Sequence, residues 1–374
     1  MSTTPAITVL HVEAGRHFYG GARQVAYLMQ GLAARGVRNV LACAQGSDVA
    51  HHAPEGAEVI ELPMRGDADA PLAWRLARLA RRSGAQLLHL HSRRGADVWG
   101  GVAARIAGLP SVLSRRVDNP ESRVAAAIKY PLFDHVITIS EAIRRVLLDA
   151  GVAPGGISCV RSAVDASPYL HPVERAALTR EFGVGEDELL VGIVAQLIAR
   201  KGHRHLIDAV DALRARHPRL RVLVFGRGPL EPALRAEVQQ RGLSNHFVFA
   251  GFRDDLPRWL GGLDLLVHPA QMEGLGVALL QASAAAVPII ASRAGGLPEA
   301  VADGVTGLLV PPGDGQALCA AMDTLLCDPA RRRRMGDAGR ARVLAEFSVE
   351  TMAEGNLAVY RRVLASRRQR GHER

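Results

Sequence analysis

A chain of 374 residues that is 48% hydrophobic and 22% charged has ordinary globular composition and material for two or three domains. Its net charge of +9 leaves nucleic acid, anionic membrane and phosphorylated ligands as partner classes, and aromatics at only 4% speak against nucleic acid. Cys43, Cys159, Cys319 and Cys327 lack metal-ligand spacing and read as buried thiols of a reducing compartment. No secretory leader precedes the first strand, and the best apolar run, 276–291, is broken by Gln281, Ser283 and Pro288. The expectation is a cytoplasmic protein that at most rests on a membrane surface.

The first strand, 7–12, leads through Gly15 to Gly20-Gly21 and an amphipathic helix carrying Val25, Leu28, Met29, Leu32 and Ala33, stopped at Gly36. Strands follow at 37–42 and 58–62. Leu72, Leu76, Leu79 and Ala80 predict a helix over 71–84, with Arg75, Arg78, Arg81 and Arg82 outward. Strand 86–91 ends in His89-Leu-His91-Ser92 and precedes a helix over 96–107. Strand 110–113 leads to Ser114-Arg115-Arg116. A helix near 123–130, a strand at 135–139, a helix opened by Ser140-Glu141, and 158–161 close this half.

Over 163–172 the periodicity fades, and Pro168 and Pro172 mark a link between domains at 1–165 and 173–345. A short helix (173–182) is followed by a second series of alternating elements. Strand 189–197 contains Gln196 near its end and leads to Ala199-Arg200-Lys201-Gly202, then to a helix with Leu206, Ile207, Val210 and Leu213. Further strands are 220–225, 247–250, 263–267 and 288–291. Residues 331–374 are arginine-rich, with Arg331 to Arg334 read as part of a solvated terminal helix and tail. The last helix, 348–364, has Val349, Met352, Tyr360, Val363 and Leu364 as its apolar stripe. Alternation throughout predicts an α/β fold with parallel sheets covered on both faces, in two doubly wound halves.

Ligands bind at the carboxyl ends of strands in such sheets. Gly226 and the Gly251-Phe252-Arg253 turn stand at two of these ends. The most informative stretch is 264–312: an apolar strand, His268-Pro269, then Glu273-Gly274-Leu275-Gly276-Val277 opening a helix that reaches about Ala286. Such a turn lets backbone N–H groups approach an anion. A continuous helix would set Glu273 and Gln281 roughly 12 Å apart at about 1.5 Å per residue. Lys129 and Lys201 are the only lysines, which draws attention to Lys201.

Glu273-Gly-Leu-Gly276, Gly295-Gly-Leu-Pro-Glu299 and Asp303-Gly-Val-Thr-Gly307, with Gln196 to Gly202, Ser140-Glu141 and Val164-Asp165, resemble the retaining glycosyltransferases of family 4. The resemblance covers nearly the whole chain, from Gly20 to about Arg361, and within the family points to enzymes of lipopolysaccharide and other bacterial surface polysaccharides. It implies the GT-B fold: two Rossmann-like domains facing an interdomain cleft, the first binding the acceptor and the second a nucleotide-sugar. Residues 346–374 would form a helix crossing back to the first domain, with a basic tail.

By the same resemblance Lys201, with Arg200, would stabilise the departing diphosphate, and Glu273 would hold hydroxyls of the donor sugar. The amides of Gly274 to Val277 and the Gly20-Gly21 loop would receive the phosphates. Three positions depart from the family pattern: Gln281 replaces a second glutamate, Gln196 replaces an arginine, and Ser114-Arg115-Arg116 replaces a histidine. Arg115 or Arg116 would contact an acidic or phosphorylated acceptor, or be surface charge. His91 would contact the acceptor, or be core packing. The implied chemistry needs no metal, cofactor or protein nucleophile. Its partners are a nucleotide-sugar, a glycan or lipid-linked acceptor and an anionic membrane surface, with no nucleic acid. Two other classes stay open: a nucleotide-sugar epimerase of similar plan, and a non-catalytic nucleotide-sugar- or phosphate-binding module.

Overall fold

Short apolar runs alternate with amphipathic stretches along this chain, and each run becomes a strand covered by the stretches on either side. The computed structural model describes residues 7–92, 95–171 and 173–372; the predicted link residue Pro172 and residues 373–374 of the basic tail lie outside these. Two units form, Met1–Ala163 with Val349–Arg374, and Val164–Ser348.

The first unit contains β1 (Thr8–Glu13), α1 (Gly20–Ala33), β2 (Arg38–Ala44), α2 (Asp48–His51), β3 (Glu58–Leu62), α3 (Pro71–Arg82) and β4 (Leu87–Leu90). It continues with α4 (Ala96–Ala107), β5 (Ser111–Arg115), α5 (Arg123–Lys129), β6 (His135–Thr138), α6 (Glu141–Asp149) and β7 (Ile157–Cys159). The second unit begins with α7 (Arg175–Phe182), β8 (Leu189–Val194), α8 (His203–Leu213), β9 (Leu220–Phe225), α9 (Glu231–Gln240), β10 (Phe247–Gly251) and α10 (Pro257–Leu260). After these come β11 (Leu265–His268), α11 (Val277–Ala284), β12 (Ile289–Ser292), α12 (Leu297–Ala300), β13 (Gly307–Val310), α13 (Gly315–Cys327) and α14 (Pro329–Glu346). The last helix, α15 (Val349–His372), belongs to the first unit, where Met352, Leu357, Tyr360 and Val363 pack with Val9, Leu28 and Leu32.

The strand orders are β3-β2-β1-β4-β5-β6-β7 and β10-β9-β8-β11-β12-β13. Neighbouring strands pair in parallel, with His11 of β1 opposite His89 of β4. In each sheet the order reverses beside the first strand, at β1/β4 and at β8/β11. A crevice opens outside the strand ends at such a reversal, and that is where doubly wound sheets bind ligands.

Several expectations need correction. α11 begins at Val277 rather than at Glu273, because Gly276 adopts φ 85°, a left-handed conformation outside the helix. The axial rise of a helix therefore does not apply to the turn after Glu273. Gly20 and Gly21 are the first residues of α1, not a loop. The Arg331–Arg334 run is not wholly solvated: Arg332 is buried and donates to the carbonyls of Leu325 and Leu326 at 2.6 and 2.9 Å. Of the cysteines only Cys43 is buried; Cys159 and Cys319 are partly covered and Cys327 is exposed. Among the described residues no helix is long and apolar enough to cross a membrane.

Candidate active site

In the second unit the chain leaves β8 and makes a single helical turn, Ala199–Lys201, before Gly202. Gly202 has φ 72°, and a Cβ there would lie 2.1 Å from the carbonyl oxygen of Pro269. Only glycine lets this turn sit so close to the end of β11. The turn buries Lys201, whose Nζ donates to Oε2 of Glu273. His268, the last residue of β11, places Nε2 3.1 Å from the same oxygen, and the Gly274 amide donates to Oε1 at 3.2 Å. Beneath the turn, Gly296 N donates to the Glu273 carbonyl at 2.9 Å.

Burial opposes ionisation of Glu273, but hydrogen bonding and charge from His268, then from Lys201, outweigh it and hold the carboxyl well below its usual range. His203 is buried beside this group with neither ring nitrogen hydrogen-bonded; burial, reinforced by the His268 and Lys201 charges, pushes its pKa down to about 4. The result is a pair of a buried ammonium and a partly covered carboxylate next to the first amides of α11, which lack intrahelical partners. Such a group can bind hydroxyls through the carboxylate and an anion through the ammonium and the amides.

The remaining residues singled out on this side fall into different settings. Gly274, Leu275, Gly276 and Gln281 are buried and Val277 is partly covered, whereas Gln196 and Arg200 are exposed. Gly226, partly covered, follows the end of β9. Phe252 is 42% exposed, with the Arg227 guanidinium 4.9 Å from its ring centre. Arg253 is engaged by Glu181 at 2.7 Å and by Asp255 at 2.8 and 2.9 Å. Its donors are thus committed to carboxylates within the unit.

At the β1/β4 reversal of the first unit, His11, His89 and His91 form a buried cluster. His11 Nδ1 lies 2.9 Å from His91 Nε2, and His11 Nε2 lies 3.0 Å from Asn39 Oδ1. His89 sits between the Tyr360 hydroxyl of α15 at 2.5 Å and Ser114 Oγ at 2.8 Å. Burial lowers all three imidazoles, His11 to about 4 and the other two well below their ordinary value. Arg116 Nη2 lies 3.4 Å from His91 Nδ1. A pocket of about 300 Å³ opens here, lined by Gly21, His91, Arg115 and Arg116 among others. Arg115 is buried and paired with Glu121 at 2.7 Å, and it also donates to the Asn119 carbonyl at 2.7 Å. Gly20 and Gly21 are both exposed at the start of α1.

The structure thus joins Lys201 to Glu273 in one unit and His91 to Arg116 and Gly21 in the other. Sequence reasoning missed His268, which reads as a strand stop, and also His203, His11, Asn39 and the hydroxyl of Tyr360. A signal was present for the histidines, since His89 and His91 alternate and so share a sheet face, with His11 at a matching place on another apolar strand.

A family model described as glycosyl transferases group 1 matches residues 174–342, and one described as Glycosyltransferase Family 4 matches residues 18–167. The chain is 33% identical to a GDP-mannose-dependent alpha-(1-6)-phosphatidylinositol monomannoside mannosyltransferase of Mycolicibacterium smegmatis, over 73% of this chain and 69% of the relative. It is 32% identical to a 2-deoxystreptamine glucosyltransferase of Streptomyces kanamyceticus, over 78% of this chain and 81% of the relative. The crystal structure of HepE of Anabaena in complex with UDP superposes with a TM-score of 0.82 at 22% identity, covering 95% of this chain and 99% of the other. The architecture of two parallel-sheet units is that of the GT-B fold.

Proposed function

This chain belongs to glycosyltransferase family 4, and on that premise we propose that it moves a sugar from a nucleotide-sugar to a glycan or lipid-linked acceptor with retention of anomeric configuration. The observation that carries the reading is the Lys201–Glu273 pair at the β8/β11 reversal, beside the amides that open α11. In this role Glu273 orients hydroxyls of the transferred sugar. Lys201 and the amides stabilise charge as the diphosphate leaves, and Arg200, exposed on the same turn, adds to that charge. A leaving oxygen of the donor takes the acceptor proton as the new bond forms on the same face. The reaction so described uses no metal, cofactor or protein nucleophile.

The place of the reaction is bacterial surface polysaccharide biosynthesis, including lipopolysaccharide, on the cytoplasmic side of a membrane. Support comes from the sequence resemblance and from α5, which exposes Val124 and Ile128, each at 71%, one turn apart beside Arg123. Exposed apolar side chains flanked by basic ones suit contact with anionic lipid.

The test is transfer and donor hydrolysis with a panel that includes GDP-mannose and UDP-glucose, on the wild type and on Lys201→Ala and Glu273→Ala. Turnover of a donor by the wild type, lost in both variants, is expected. Binding of nucleotide-sugars with no turnover of any would make the chain a binding module, and unimpaired variants would move the site elsewhere. NMR of the product linkage reads retention directly.

A further inference from the structure

The histidine cluster of the first unit has a direction that Asn39 fixes. Its Nδ2 donates to the carbonyls of Met29 at 3.0 Å and Val37 at 3.2 Å, groups that can only accept. Oδ1 must therefore face His11, and His11 Nε2 carries the proton. A neutral His11 then accepts at Nδ1, so the proton between the two rings belongs to His91 Nε2. His91, also neutral, is left with a lone pair on Nδ1, and that lone pair faces the Arg116 N–H. The chain of bonds thus runs from Arg116 through His91 and His11 to Asn39, with every member in one tautomer.

At the end of this chain the Arg116 guanidinium feels the charge of Glu13 without a direct ion pair. Arg116 forms no ion pair within 4 Å among the described residues, and its Nε is buried without a hydrogen-bond partner. The other cations that reach the pocket from the sheet side are already neutralised, Arg115 by Glu121 and Lys129 by Asp97. Arg16 adds a second guanidinium at the exposed rim. The carboxylate of Glu13 lines the same pocket and accepts from the Gly15 amide at 2.8 Å. Arg116 is partly covered, and its buried, unpartnered Nε leaves a donor that a ligand oxyanion would take up. The pocket, about 300 Å³, lies at the small end of the ligand-site range.

We propose that this pocket binds an oxyanion carried by the acceptor, a phosphate or a carboxylate, with Arg116 as the guanidinium that receives it and His91, His11 and Asn39 as positioning residues. The proposal rests on the glycosyltransferase reading and names the chemistry of its acceptor. It also separates two neighbours alike in sequence: Arg116 is a ligand contact, whereas Arg115 is a structural partner of Glu121.

The experiment uses the full chain labelled with 15N in its histidines, with nucleoside diphosphate added to saturation so that phosphate cannot report from the donor side. Inorganic phosphate and acetate are titrated separately. His11 and His91 are expected as neutral Nε2–H tautomers, and one of the anions should shift His91 Nδ1 saturably; the arm that binds identifies the group. Arg116→Gln should weaken that binding at least about tenfold, the loss expected for one charged hydrogen bond. Asn39→Leu should mix the tautomers, seen in the 15N shifts of His11 and His91, and weaken the anion binding read at His91, while Arg116→Gln leaves the tautomers of the wild type in place. If neither anion shifts His91, or if Arg116→Gln titrates as the wild type does, the proposal is overturned. Nucleoside diphosphate binding and sugar transfer by the wild type are read on the same samples, so failure of the glycosyltransferase reading shows itself separately.

Discussion

At the β8/β11 junction the buried polar groups are charged and paired, Lys201 against Glu273, with His268 on the same carboxylate. At the β1/β4 junction they are imidazoles kept neutral by burial and linked from Asn39 to Arg116. Both junctions lie at the same topological point of a similar sheet, yet they satisfy buried polarity in opposite ways. A charge pair tolerates a change of pH well and the loss of either member poorly. A neutral chain tolerates neither a change of tautomer nor an added proton. The contrast fits the proposed division of labour, in which the second unit would meet a diphosphate and the first would select an acceptor.

The largest test of this contrast is functional. Lys201→Ala and Glu273→Ala should each reduce sugar transfer at least about 100-fold, the scale of removing one preorganised electrostatic contact. A loss below tenfold in steady-state assays would show that the pair is structural only. Stability gives the next largest effect. Lys201→Met alone leaves a partly covered carboxylate with His268 and the Gly274 amide but without its ammonium, and should cost about 2 kcal/mol in urea unfolding. The double variant Lys201→Met with Glu273→Gln should recover most of that loss while remaining inactive.

Acidification should break the comparison in the other direction. An unfolded histidine takes a proton near pH 6.5, whereas His11 and His135 in the first unit do so only near 4. Their folded pKa values are depressed, so their contribution is complete above about pH 6.5 and is lost as the pH falls towards 4, up to about 3 kcal/mol for each. His89 and His91 add to the same loss, while the second unit has His203. Glu273 begins to lose its contribution only below its own unfolded value of 4.5. Hydrogen exchange at pH 5 should therefore show the first unit opening before the second. Equal protection in both would refute the neutral-chain description. The smallest effect concerns α5: Val124→Ser with Ile128→Ser should weaken flotation with anionic liposomes several-fold while unfolding free energy changes by under about 0.5 kcal/mol.

Much of this arrangement could be read from the sequence because strand and helix periods differ. The runs around Leu10, Leu88, Val191 and Leu265 are apolar on both faces, and the stretches between them repeat at helical spacing. Lys201 stood out by rarity and Glu273 by its glycine turn. Their bond was not legible, because 72 residues separate them and only the β8/β11 adjacency brings them together. Tyr360 was legible as an apolar helix position but not as the partner of His89, since its ring packs while its hydroxyl bonds. Arg115 and Arg116 are adjacent in sequence and both line the pocket, but Glu121 pairs with Arg115, while Arg116 has no ion pair within 4 Å among the described residues.

The position of α15 bears on how this protein can be divided. The two matched family segments, 18–167 and 174–342, both end before Val349. A protein cut at those borders would lose β1 with Val9 from the sheet, Tyr360 from His89, and Met352, Leu357 and Val363 from the side chains of Leu28 and Leu32. The amino-terminal segment expressed alone would then be an incomplete folding unit with an uncovered apolar floor. Residues 1–163 joined to the last 26 by a flexible tether would have the whole core, and autonomy in this chain is thus a property of a discontinuous sequence.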